Sequence, residues 1–186
     1  MVGIVVVSHS RRLAESAVEL ALQMVRGAPP PIEIAAGLDD HVLGTDAARV
    51  KEAIDRVASP DGVLVVMDLG SAVLSAELAL ELRGDDAGEC RVVLSDAPLV
   101  EGLVAAVTLA AAGAPLDEVA ADAGQAGHIK TALLNLENPQ PGSPAHGAQP
   151  HTAVAGIELA IHNEHGLHAR PAARFVPELI SVTPRS

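Results

Sequence analysis

The order of apolar and polar positions divides the chain into alternating strands and helices. Val2–Val7 is a continuous apolar run, the pattern of a strand covered on both faces. Ser10–Arg26 follows with Leu13, Val18, Leu20, Ala21 and Met24 at helical spacing, and Pro29, Pro30 and Pro31 end it. Ile32–Ala36 predicts a second strand. A helix running to about Ala58 then places Val50, Ile54 and Val57 on one face, with Gly44 or Thr45 as its cap.

Gly62–Met67 predicts a third buried strand, which Asp68-Leu69-Gly70-Ser71 turns into a helix over Ala72–Leu82. Arg91–Leu94 predicts a fourth, short strand. Pro98 opens a helix reaching Ala112, and Leu116–Leu136 is helical again. These repeated βα units predict an α/β fold. Its core is a doubly wound, mainly parallel sheet of roughly four to five strands, with helices on both faces and right-handed crossovers.

The alternation stops at Asn138. From Asn138 to Ala153 the chain is rich in Pro and Gly, with no apolar periodicity, and reads as a flexible linker. Beyond it Ile157, Leu159 and Ile161 alternate as in a strand, Asn163-Glu164-His165-Gly166 makes a turn, and a helix is expected from near Ala169. The expected division is a domain over 1–137, a linker over 138–153 and a short segment over 154–186.

Composition narrows the function. Of the 186 residues 49% are hydrophobic, yet Phe175 is the only aromatic. The core must therefore be aliphatic, and a base-stacking platform is almost excluded. With 24 acidic against 12 basic residues, non-specific nucleic-acid binding is not expected. Cys90 stands alone, so no internal disulfide can form, which suits a reducing compartment. The apolar run Leu103–Ala114 is shorter than the about 20 residues a bilayer needs, and no basic n-region precedes the opening run. A cytoplasmic protein with no membrane or nucleic-acid partner is expected.

His9 and Asp68 both fall just past the C-terminal ends of strands expected to be close in the sheet, where open α/β sheets collect ligand chemistry. A carboxylate accepting from one imidazole nitrogen fixes the tautomer and leaves the other free to attack. Ser10, Thr45, Gly70 and Ser71 supply hydroxyls and backbone N–H groups at helix N-termini, which hold phosphate well. The plainer alternative makes His9 a cap and Asp68 an ordinary turn residue. No Gly-x-Gly-x-x-Gly or Walker loop occurs, so tight nucleotide binding is not supported. His128, His146, His151, His162 and His165 show no ligand spacing, so neither a metal nor a cofactor is expected.

A second constellation is Gly166-Leu167-His168-Ala169-Arg170-Pro171-Ala172-Ala173. A phosphoryl group on His168 would face helix N-terminal amides, with Arg170 able to add charge-assisted hydrogen bonds. A plain cap beside a solvated arginine fits the same residues.

The seven residues Gly166–Ala172 resemble the active-site segment of HPr, the phosphocarrier of the bacterial phosphoenolpyruvate-dependent sugar phosphotransferase system. The amino-terminal part resembles the mannose-type IIA domain of that system. The likeness extends to phosphotransfer subunits of bacterial dihydroxyacetone kinases, which join such a domain to an HPr-like one. It is carried by Val6–Ser10, Ala35–Asp40, Gly44–Ala47, Val66–Ala72 and Ala97–Gly102. The resemblance implies that His9 is phosphorylated with Asp68 orienting its ring, and that His168, assisted by Arg170, is the matching site of the second segment. It implies a relay from phosphoenolpyruvate through enzyme I and HPr to this domain. From there the phosphoryl group passes to ADP held on the kinase's nucleotide subunit, which phosphorylates dihydroxyacetone. A homodimer is also implied. Only one strand and one helix of an HPr-like segment fit within its about 33 residues, below the size of an ordinary lone core, so 154–186 is expected to be a truncated remnant.

Two other readings remain at this point. A mannose-type IIA component of a sugar permease would pass phosphate to a IIB protein. A small-molecule hydrolase or regulatory binding domain on the same fold would place a closed concave pocket beside His9.

Overall fold

A computed structural model describes residues 1–39, 41–84 and 90–137, with side chains to 134. Contacts set Met1–Lys130 apart as one compact unit. The described elements are β1 (Gly3–Ser8), α1 (Arg11–Leu22), β2 (Ile32–Ala36), α2 (Ala47–Val57) and β3 (Val63–Met67). They continue with α3 (Gly70–Arg83), β4 (Val92–Ser95), α4 (Leu99–Ala111) and α5 (Leu116–Glu137).

The four strands form one parallel sheet in the order β2-β1-β3-β4. Every residue of β1 and β3 is buried, because these central strands are covered on both faces. Alternate side chains enter opposite cores. Ile4, Val6, Leu64 and Val66 pack with α1, α4 and the start of α5. Val5, Val7, Val63, Val65 and Met67 pack with α2 and α3 on the other side. The fold is therefore the doubly wound α/β sheet that the alternation predicted.

The chain passes from β1 outward to β2, then returns through α2 across β1 to reach β3. The strand order thus reverses between β1 and β3, and in open α/β sheets the crevice at the carboxyl ends of such a pair is where ligands bind. His9 and Asp68 follow directly on these two strands.

Two helical details differ from the expected pattern. Asp46, not Thr45 or Gly44, caps α2, its carboxylate accepting from the Arg49 N–H at 3.0 Å. In α1 the buried face is Ala14, Ala17 and Ala21, whereas Leu13 and Leu20 of the apolar spacing are exposed. Small side chains let a helix lie close to the sheet, and the larger ones are turned away.

Candidate functional site

In register, Val7 of β1 lies opposite Met67 of β3, so Ser8 and Asp68 arrive level at the reversal point. The Asp68 N–H closes the ladder onto the Val7 carbonyl at 3.2 Å. The Asp68 side chain then gathers four donors. Its Oδ1 accepts from the Leu69 N–H at 2.7 Å and faces His9 Nδ1 at 2.9 Å. Its Oδ2 accepts from the His9 N–H at 2.8 Å and the Ser8 hydroxyl at 2.9 Å. A carboxylate offers about four lone-pair sites, and here all are engaged.

An ionised carboxylate only accepts, so Nδ1 carries the imidazole proton and Nε2 carries the lone pair. Nε2 lies 2.7 Å from Ser71 Oγ, and the serine hydroxyl donates to it. The His9 side chain keeps 22% of its surface open while Asp68 keeps 9%. The result is one oriented imidazole with its nucleophilic nitrogen toward the rim. Leu69, at the N-cap of α3, supplies no side-chain cap; the Ala72 N–H turns back to the Leu69 carbonyl at 2.9 Å, which leaves the Gly70 and Ser71 amides without an intrahelical acceptor. This end of α3 can receive negative charge.

Burial works against the charge on Asp68, but the His9 amide, the His9 ring, the Ser8 hydroxyl and the Leu69 amide together hold its carboxyl below the usual aspartate range. A carboxylate whose pKa is lower folded than unfolded adds stability above its unfolded value and loses it as the pH falls through its folded one. Thermal melts are therefore expected to fall as the medium is acidified below the usual aspartate range. Asp55, lowered chiefly by its hydrogen bond from Lys51, and Glu101, lowered chiefly by Lys130, act with the same sign. The Asp68→Asn variant should accordingly show a shallower acid loss than the parent. Equal acid losses in both would contradict the hydrogen-bonded charge.

The β2–α2 loop holds the histidine's backbone. Gly37 N–H donates to the Ser8 carbonyl at 3.1 Å and Gly44 N–H to the His9 carbonyl at 3.0 Å. Gly37 has φ +68° and Gly44 φ +148°, and a Cβ on Gly44 would lie 2.7 Å from Leu38 Cγ. Both positions need glycine. The loop exposes Leu38, Val42 and Leu43, and Leu69 is exposed at the start of α3.

The structure brings together His9, Asp68 and Ser71 of the residues singled out in the sequence. Ser10 caps α1, accepting from the Leu13 N–H at 3.3 Å, and Gly70 is the first residue of α3. The Thr45 hydroxyl is engaged by Ser75 Oγ at 2.7 Å. His168 and Arg170 lie outside the described residues. Ser8 was not singled out. Its only sequence signal is a hydroxyl ending an otherwise apolar run directly before His9. Among the described residues no group of three or more His, Cys, Asp or Glu could hold a metal ion, and no helix is long and apolar enough to cross a membrane.

Fold and site together define a class: a doubly wound α/β domain presenting one carboxylate-oriented histidine at its topological switch point. The family described as "PTS system fructose IIA component" (EIIA-man) matches residues 3–120, and the chain belongs to it. The chain is 46% identical over 181 residues to the "PEP-dependent dihydroxyacetone kinase, phosphoryl donor subunit DhaM" of Pantoea ananatis, covering 96% of this chain and 38% of that one. It therefore spans well under half the length of that relative. A Listeria innocua protein, "PEP-dependent dihydroxyacetone kinase 2, phosphoryl donor subunit DhaM", is 39% identical over 102 residues, which cover 55% of this chain and 80% of that one. The crystal structure of a protein of unknown function, EF1359, is similar with a TM-score of 0.56 and 35% identity, covering 67% of this chain and 95% of that one.

Proposed function

We propose that residues 1–137 form a histidine phosphoryl carrier in which His9 Nε2 accepts a phosphoryl group and hands it on, with Asp68 orienting and charge-balancing the ring. The observation that carries this reading is the Asp68 carboxylate on His9 Nδ1 at 2.9 Å, with Nε2 left at the rim beside Ser71. The Nε2 lone pair forms the new P–N bond as the bond from phosphorus to the donor breaks, its electron pair leaving with the donor atom. The Nδ1 proton stays in place, and the positive charge gained by the ring faces Asp68. Ser71 and the α3 N-terminus are placed to donate to phosphoryl oxygens, with Ser10 and Thr45 on neighbouring loops.

Upstream, the reading takes phosphoenolpyruvate as the source, with enzyme I and HPr as the relay. Downstream it takes ADP on the nucleotide subunit of a dihydroxyacetone kinase. The role named for the Pantoea and Listeria relatives supports this acceptor over a sugar permease's IIB protein. The exposed Leu38, Val42, Leu43 and Leu69 around a partly open histidine suit successive macromolecular partners better than an enclosed small-molecule pocket. Residues 138–153 are the linker in this reading, 154–186 carry the second motif at His168 and Arg170, and the carrier works as a homodimer.

Incubation of the chain with phosphoenolpyruvate, enzyme I and HPr is expected to give an acid-labile, base-stable phosphoprotein. Peptide mapping should place the label on His9. No label, or a label confined to His168, would overturn the assignment. Transfer from the labelled protein to the ADP-loaded kinase subunit tests the acceptor, and its failure would favour the permease reading.

A further inference from the structure

We infer that Ser8 is a positioning residue for phosphoryl transfer, its buried hydroxyl holding the Asp68 carboxylate in the orientation that keeps the proton on His9 Nδ1 and the lone pair on Nε2. The inference rests on the proposed role of His9.

Ser8 ends a wholly buried strand and is itself 0% exposed. A hydroxyl in such a place is costly unless it is hydrogen-bonded. Here its proton and one lone pair both have partners within reach. Ser8 Oγ accepts from the Ser10 N–H at 3.1 Å, and lies 2.9 Å from Asp68 Oδ2 and 3.2 Å from the Ser10 carbonyl. A hydroxyl has one proton, and the nearer, charged acceptor takes it. Ser8 thus links the N-cap of α1 to the carboxylate at the end of β3.

The two oxygens of Asp68 do different work. Oδ1 faces the ring nitrogen, and its angle to the ring depends on rotation about the carboxylate's Cβ–Cγ bond, a torsion with a broad minimum. Rotation is resisted at Oδ2 by two donors, the His9 N–H and the Ser8 hydroxyl. The backbone donor comes from the residue whose ring is being aimed and moves with it. The Ser8 hydroxyl comes from the end of β1 and supplies an independent anchor. Removing it leaves one of the four acceptor sites on a nearly buried carboxylate empty, and leaves the Ser10 N–H without its hydroxyl acceptor. The line from Oδ1 to Nδ1 then loosens, and the proton gains access to Nε2, where it blocks attack.

A purely structural serine would alter stability alone, so the test reads the ring. In the full chain, Ser8→Ala is expected to slow phosphoenolpyruvate-dependent labelling through enzyme I and HPr about 10–100-fold, the range for losing a group that orients a catalytic histidine or ligand. Nitrogen-15 spectra of His9 should show the Nδ1–H tautomer in the parent and a mixture with Nε2–H in Ser8→Ala. Ser8→Thr keeps the hydroxyl on a β-branched residue suited to a strand and should restore both tautomer and rate. Melting curves fix a temperature at which all three proteins are folded. Parent-like labelling and ring nitrogens in Ser8→Ala would overturn the inference. So would a Ser8→Thr protein that melts like the parent but remains slow. A parent labelled away from His9 would instead defeat the carrier assignment itself, whereas a His9 label indifferent to Ser8 defeats only this inference.

Discussion

Replacing Asp68 with asparagine is expected to slow phosphoryl transfer at His9 roughly 10²–10⁴-fold, the scale on which a catalytic histidine suffers when its carboxylate partner is neutralised. Two effects combine. Transfer leaves positive charge on the imidazole, and the carboxylate 2.9 Å from Nδ1 is the group placed to meet it. Asparagine has the shape but not the charge. The second effect comes from the four donors around Asp68. Whichever way the amide is turned, its NH₂ meets a backbone N–H. With NH₂ at the Oδ2 position it opposes the His9 amide and displaces the histidine. With NH₂ at the Oδ1 position it opposes the Leu69 amide and demands an acceptor at Nδ1, which drives the ring proton to Nε2 and removes the nucleophile.

Initial labelling rates, compared at a temperature where both proteins are folded, measure the loss. A folded Asp68→Asn protein that labels near the parent rate would show that the carboxylate neither orients nor charge-balances the ring. Some loss of stability is also expected, on the order of 1–3 kcal/mol for buried donors left without a good acceptor.

The pairing of His9 with Asp68 was legible because each follows a continuous apolar run, and such runs mark central parallel strands whose carboxyl ends converge. Ser71 was legible as the last residue of the turn Asp68-Leu69-Gly70-Ser71 that leads into the next helix. Ser8 was not, since whether a serine at a strand's end faces solvent or a carboxylate depends on the register between β1 and β3, and nothing local to the sequence states it. The α2 cap was missed for a local reason. Gly44, Thr45 and Asp46 are all acceptable near an N-cap, and the choice falls on Asp46 because Gly44 is held back against the His9 carbonyl while Thr45 turns to Ser75.

Helix faces were harder to read than helix positions. On α2 the large apolar residues Val50, Ile54 and Val57 do form the buried face, and the pattern sufficed. On α1 and α3 the buried stripes are alanines, Ala14, Ala17 and Ala21 on one and Ala72, Ala76 and Ala79 on the other. A methyl group carries little hydrophobic signal, so leucines on the outer faces dominate the spacing. The physical selection there is for close approach to the sheet rather than for area buried by each side chain.

That distinction carries a second large expected effect. Leu64 lies on β3, between Ile4 and Val93 in register, and is 0% exposed in the core cluster that includes Val66 and Leu103. Leu64→Ala removes apolar volume from the centre of the sheet, where neighbours on both sides are fixed by ladder hydrogen bonds and cannot collapse into the gap. The expected cost is about 2–5 kcal/mol, or roughly 5–20 °C in melting temperature. Leu74, on α3, is the same residue type but is 66% exposed. Its truncation removes little that was hidden from water, and Leu74→Ala should stay within about 0.5 kcal/mol of the parent. Thermal melts of the two variants side by side measure burial directly, because side-chain chemistry is held constant. A Leu64→Ala protein as stable as the parent would contradict the packing of the central strands. A Leu74→Ala loss as large as that of Leu64→Ala would mean that the outer face of α3 is covered in solution.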